Sequence, residues 1–325
     1  MIVDSSKSKL FSSIGQRATF GLACLELIKK YKNLMVLTAD VSTSAGLDRY
    51  KNKFGENYLD VGIAEQNMMG IATGLSTLGY NVFTTTFAPF QSMRCLEQIK
   101  VNQGYMKKKV TMVGIASGVV LGTLGYTHCC VEDLSIMKSI PGLTILSPSD
   151  GSEVVKSVFA AAEHEGPVYI RLTGGSNSKV VNTNDYNFKI GQPIELIPGS
   201  DIIIFATGSI LGNCIEAANE LKNDNNMSIA VINVHTLKPI EKKYIIEKVK
   251  NHKKIMTIEE HSLQGGLGTT INQCLIGNIS SNQKILNLGL PDNYATSGEY
   301  SYLLEKYSLS KNGIKKKIID FLKIR

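Results

Sequence analysis

Short apolar runs alternate with helix-period segments from residue 17 to residue 172, and that alternation limits what the chain can fold into more than any other feature. Strands are expected at 34–38, 82–87, 110–115, 143–146 and 168–172. Helices are expected between and around them, at 17–30, 65–77, 92–101, 133–139 and 152–164. A strand that is repeatedly followed by a helix needs crossover connections, and a parallel sheet covered on both faces supplies them. Between Gly174 and Gln192 the composition shifts to Asn, Ser, Lys and Asp with no apolar period, as in a linker. A second alternation follows, with strands at 201–205, 228–233, 254–258 and 284–288 and helices at 210–222, 241–250 and 270–276. The expected fold class is α/β, with two doubly wound, mostly parallel sheet domains.

The sharpest local signal is Asp60-Val61-Gly62-Ile63-Ala64-Glu65-Gln66-Asn67, where an extended run turns into a helix. Ile71, Leu75 and Leu78 continue it at helical spacing. Gly62 and Gly70 permit close backbone approach at the elbow and the first turn. Glu65 thus has buried neighbours, and desolvation disfavours the charged form of a carboxyl. A proton-sharing carboxyl suits acid–base work on a heterocycle. A carboxylate that serves the helix dipole fits the octapeptide equally well. Beyond it, Asn81 to Phe90 reads as a β-rich strand ending in an aromatic turn with Phe87 and Phe90. Gly122-Thr123-Leu124-Gly125-Tyr126-Thr127-His128 is a glycine-rich loop closing on a histidine, before the acidic Val131-Glu132-Asp133-Leu134.

Glu-Gln-Asn after a strand, an aromatic pair after the next, and Thr-His before an acidic helix form a family pattern. The chain resembles transketolase-like thiamine diphosphate enzymes, a group that includes transketolase, deoxyxylulose-phosphate synthase and the β subunits of 2-oxoacid dehydrogenases. The similarity continues through Ser147-Pro148-Ser149-Asp150, Gly166-Pro167-Val168-Tyr169-Ile170-Arg171 and Ile258-Glu259-Glu260-His261, then Gly265-Gly266-Leu267-Gly268. It implies a pyrimidine-binding domain over 8–175, a linker over 176–192 and a transketolase C-terminal-like domain over 193–325.

The resemblance also implies thiamine diphosphate as cofactor and gives residues roles. Glu65 would hydrogen-bond the pyrimidine ring nitrogen, Phe90 would stack on the ring, and Phe87 would support the pocket. Two core phenylalanines at a strand end are the alternative, and the preferred one for Phe87. Asp40 and Ile63 would lie near the cofactor, although Asp40 also has the make-up of a helix cap. His128 would face the thiazolium and assist proton transfers on substrate hydroxyls. Arg17, Ser44 and Arg171 would meet the substrate.

Neither a Gly-Asp-Gly…Asn motif for magnesium and diphosphate nor a P-loop occurs in the sequence. The resemblance therefore implies a split enzyme with no metal ligands in this chain. The diphosphate end and Mg2+ would be held by an N-terminal transketolase-like subunit, in an α2β2 heterotetramer, and this chain alone would form a homodimer. The expected reaction transfers a two-carbon ketol, or related acyl, unit between sugars through a thiamine-bound carbanion. A 2-oxoacid dehydrogenase β subunit, a deoxyxylulose-phosphate synthase-like carboligase and a non-catalytic structural subunit are the rivals; retention of Glu65, Phe90 and His128 counts against the last. Aligned on Thr127-His128, Leu124 stands where transketolases place a hydroxyl-binding aspartate. Ala116 stands in place of a substrate histidine and Gly174 in place of a phosphate-binding arginine. The implied substrate is a sugar or sugar phosphate outside the standard pentose phosphate pair.

Composition narrows the partners. The net charge is +7, but its lysines cluster as Lys107-Lys108-Lys109 and Lys315-Lys316-Lys317 without interleaved aromatics, so no nucleic acid is expected. No apolar stretch reaches bilayer-spanning length and the first residues lack a signal-peptide layout, so a cytoplasmic protein without a membrane partner is expected. The six cysteines show no framework spacing and are expected as reduced thiols. His128-Cys129-Cys130 lacks the spaced second pair a zinc site needs.

Overall fold

The computed structural model describes residues 4–182, 185–294 and 296–323. Thr183 and Asn184 of the expected linker lie outside the described residues, as do the first three residues read for a targeting signal. The strands of the first half are β1 (Leu34–Thr38), β2 (Tyr58–Asp60), β3 (Asn81–Phe87), β4 (Val110–Ile115), β5 (Thr144–Leu146) and β6 (Val168–Arg171). Those of the second half are β7 (Ile194–Ile197), β8 (Ile202–Ala206), β9 (Ile229–Asn233), β10 (Thr236–Lys238), β11 (Lys254–Ser262) and β12 (Lys284–Leu290). They form a seven-stranded sheet in the order β10-β5-β6-β4-β3-β1-β2 and a five-stranded sheet in the order β12-β11-β8-β9-β7. Each sheet is parallel except for one antiparallel edge strand, β10 in the first and β7 in the second. This is the α/β architecture expected from the alternation.

The centre of the first sheet shows why these residues form strands. Val110, Met112, Val113 and Ile115 of β4 are fully buried, because helices cover both faces of a parallel sheet. Each such side chain contributes about 1.5–3 kcal/mol relative to leaving it in water. Helix α1 (Ser5–Lys30), interrupted at Gly15, packs with the helix Gly151–Glu163 over one face. Helix α2 (Asp48–Lys53) lies beyond the turn after β1, and helix α3 (Glu65–Thr77) covers the opposite face. The apolar cluster under α3 runs on without a break into Ile203, Phe205 and Ile232 of the second sheet.

Strand β10 was not foreseen. It follows β9 closely in sequence yet pairs with β5, so a strand of the second half closes the edge of the first sheet. Its three residues are too few to carry a period of their own. The two halves also meet through Glu260 of β11, whose carboxylate accepts from the Val119 N–H at 2.8 Å and the Tyr300 hydroxyl at 2.7 Å. Gly118 makes that approach possible: a Cβ there would sit 2.2 Å from the Glu260 carboxylate oxygen.

Candidate active site

Register sets the site. Thr38 of β1 lies level with Asp60 of β2 and Thr85 of β3, and Thr85 is level with Val113 of β4. The chain therefore leaves these strands along one rim, outside their carboxyl ends, where open α/β sheets bind ligands. The connection reverses direction between β1 and β3, so this rim is a topological switch point. Two non-glycine residues of the rim, Asp40 (φ 56°) and Ala116 (φ 56°), take the left-handed conformation that such residues adopt uncommonly.

Asp60 ties the rim together, since one carboxylate oxygen accepts from the N–H of Asp40 at 2.9 Å and of Gly62 at 3.0 Å. Gly62 turns the elbow at φ 69°, and α3 begins at Glu65 with no side-chain cap ahead of it. Glu65 thus stands at a helix N-terminus with its carboxylate almost wholly buried. After β3 the chain enters an unusually wide helix. Phe90–Arg94 and Ile99–Tyr105 are π-helical around a short α-helical piece, a geometry frequent at functional sites.

That helix brings an aromatic group together. Phe87 and Phe90 lie 6.3 Å apart, centroid to centroid, at 81°. The His128 ring stands edge-to-face to both, 6.2 Å from Phe87 and 5.6 Å from Phe90. Thr127 Oγ1 is 3.1 Å from His128 Nδ1, which fixes the ring's orientation. Glu65 joins the group through Arg94: the Arg94 Nη1 donates to Glu65 Oε1 at 2.6 Å while its guanidinium lies 4.1 Å from the Phe90 ring centroid.

Other expected site residues fall elsewhere. Ile63 is exposed at the elbow, and Asp40 is exposed at its turn and caps no helix, since α2 begins at Asp48 behind Leu47. Arg17 on α1 and Ser44 in the turn after β1 are half-buried. Burial pushes the pKa of Arg17 down from its ordinary value. Arg171 requires a correction. It is fully buried, its Nε is 3.0 Å from both carboxylate oxygens of Asp133, and its Nη2 donates to the Glu260 carbonyl at 2.8 Å. A guanidinium enclosed in this way has no face left for a substrate.

Arg94 and Asp60 were missed by sequence reasoning. An arginine four residues after an aromatic carries no signal until the π-helical turn places them together. The Gly265-Gly266-Leu267-Gly268 run opens the helix Leu267–Leu275, whose first N–H groups are taken by Glu259 at 2.6 and 2.8 Å. The six cysteines are buried free thiols. Among the described residues no cluster of His, Cys, Asp and Glu is suited to a metal ion, and no helix is long and apolar enough to cross a membrane.

Residues 12–177 match the transketolase pyrimidine-binding domain and residues 193–314 the transketolase C-terminal domain. The chain belongs to the transketolase family. A 6-deoxy-6-sulfo-D-fructose transketolase subunit of Clostridium sp. (strain MSTE9) is 33% identical over 92% of this chain and 91% of that protein. An apulose-4-phosphate transketolase subunit of Phocaeicola vulgatus is 30% identical over 95% of this chain and 98% of that one. A solved structure described as a split-gene transketolase in an inactive β4 tetramer is 33% identical, with a TM-score of 0.86, over 96% of this chain and 99% of that chain. This chain is accordingly a split-type transketolase subunit, a transferase component that works with a partner subunit. Transketolase membership implies the use of thiamine diphosphate.

Proposed function

We propose that Glu65, Phe90 and His128 form this subunit's half of a thiamine diphosphate site, with the diphosphate and Mg2+ held by an N-terminal partner subunit in an α2β2 assembly. The observation that carries the reading is the flat, hydrogen-bond-donating guanidinium of Arg94 set between the Phe90 ring and the Glu65 carboxylate. A space that accepts a planar donor with one aromatic face and one acid has the shape and chemistry an aminopyrimidine needs. The bound cofactor would supply the electron sink for cleaving and forming carbon–carbon bonds next to a carbonyl.

Each residue of this half-site is given one proposed role. Glu65, rigid at the start of α3, shares a proton with the pyrimidine ring nitrogen. Phe90 fixes the plane of the ring, and Phe87 supports Phe90 from its edge. His128, oriented by Thr127, holds or accepts a proton at the substrate hydroxyl. Asp40, on the same rim as Asp60, and the exposed Ile63 are assigned to the cofactor side, and the half-buried Arg17 and Ser44 to the substrate.

The substrate is proposed to be a sugar or sugar phosphate other than the standard pentose phosphates, from which a two-carbon ketol unit is moved. Gly174 (φ 76°) holds a backbone conformation that would strain the arginine it stands in for, and Ala116 brings no polar side-chain atom to the rim. A site lacking a polar partner discriminates by what remains to be hydrogen-bonded. The two relatives are named for different sugars, which fits a wall that varies within the family. The test is a panel of ketoses, ketose phosphates and pyruvate assayed with the chain and its partner subunit. Ketol transfer from a ketose supports the reading; turnover of pyruvate alone overturns it.

A further inference from the structure

The two contacts assigned to the pyrimidine are both already made, and by one side chain. Arg94 stacks its guanidinium carbon 4.1 Å from the centroid of Phe90 and donates to Glu65 Oε1 at 2.6 Å. A guanidinium is planar, delocalised and ringed with in-plane N–H donors, so it satisfies an acid and an aromatic face together. Phe87 and His128 meet Phe90 edge-to-face, so the cation stacked on Phe90 is Arg94. One carboxylate oxygen and one ring face cannot serve both Arg94 and a heterocycle.

We propose that Arg94 is a placeholder gate: its guanidinium occupies the pyrimidine half-site and must swing out before a pyrimidine can enter. The proposal rests on the assignment of Glu65 and Phe90 to the pyrimidine. Burial decides which partner moves. The Glu65 side chain is 6% exposed whereas that of Arg94 is 43% exposed, so the guanidinium has a path into water and the carboxylate does not. The backbone can stay in place, because the Arg94 carbonyl accepts from Gln66 Nε2 at 3.1 Å and Arg94 is the last residue of the π-helical turn that begins at Phe90. Opening is a side-chain rotation. Until it occurs, the buried acid is neutralised and the stacking ring is covered, and pyrimidine binding is weakened by the contacts that must first break.

The probe is the neutral aminopyrimidine alcohol that forms one half of thiamine, so that charge repulsion by the arginine does not enter. It is titrated into the full chain without partner, followed by ligand-observed NMR. Arg94→Gln is expected to bind it at least about tenfold more tightly than the wild type, the size set by one cation–π contact and one partly exposed ion pair. In the wild-type chain, the Arg94 Nε–H resonance, shifted by the Phe90 ring, is expected to move to a solvent-exposed position as the probe saturates. Equal or weaker binding by Arg94→Gln, or an Arg94 resonance that does not move, overturns the gate. Phe90→Ala separates the two layers of the argument. If it loses the probe while Arg94→Gln gains nothing, only the gate fails; if it binds as the wild type does, the pyrimidine assignment fails.

Discussion

At the scale of single residues, the account depends on Glu65 as an acid in a fixed place rather than as a helix-terminal charge. Glu65→Gln keeps the shape and removes the proton that the ring nitrogen would share. Activity of the chain with its partner should fall by about 10⁴-fold or more, the upper end for a lost acid–base group. The fold should be kept, with stability lowered by about 0.3–1 kcal/mol for the lost Arg94 ion pair and helix-dipole contact. Exchange of the thiazolium proton, followed by NMR in the same complex, isolates the step; exchange at the wild-type rate would leave Glu65 with only its dipole role. Glu65, Phe87, Phe90 and His128 could be singled out in the sequence because the strand-to-helix elbow, the aromatic turn after β3 and the Thr-His loop together match the family pattern; the elbow alone left Glu65 open. Arg94 could not, since its place depends on a π-helical turn that has no sequence period. Arg171 misled for the converse reason. An arginine at a strand end looks exposed until Asp133, thirty-eight positions away, is seen to enclose it.

Among the elements, the junction of the two sheets is held by buried charge. Asp133 and Arg171 are both fully enclosed, so Asp133→Ala would leave a buried guanidinium without its counter-ion. The expected loss is about 3–5 kcal/mol, read from the midpoint of chemical denaturation; a loss within about 0.5 kcal/mol would place the pair at a solvated surface instead. The neighbouring Glu260 carboxyl is pushed up to about 7 by burial, against an ordinary 4.5. Folded Glu260 therefore keeps its proton where the unfolded chain has lost it. Its stabilising contribution is full below pH 4.5 and disappears as pH rises through about 7. Burial pushes His261 down to about 4, an opposing contribution that is common to wild type and variant and cancels between them. Melting temperatures of wild type and Glu260→Gln, compared from about pH 5 to about pH 8, should shift against the wild type across that window. Parallel curves would contradict it. Sheet alternation and the positions of most strands were legible because β4, β8 and β9 are buried on both faces and read as continuous apolar runs. β10 was not, because what makes it a strand is an edge of β5 distant in sequence.

For the whole molecule, Ile63 (79% exposed) stands at the elbow beside Glu65, whereas Leu78 (77%) and Tyr105 (86%) stand at the far ends of α3 and the π-helical segment. Cyclic pairing is the commonest closed assembly of soluble chains. Light scattering of the chain alone at micromolar concentration should give a dimer or a larger closed assembly, and a monomer would contradict this. The central claim is that this subunit carries one half of a cofactor site. Calorimetric titration of thiamine diphosphate with magnesium tests it most directly, first into the chain alone and then into the chain with its N-terminal partner. The account predicts weak binding that does not saturate for the chain alone and one cofactor per site once the partner is present. Tight, stoichiometric binding by the chain alone would contradict it.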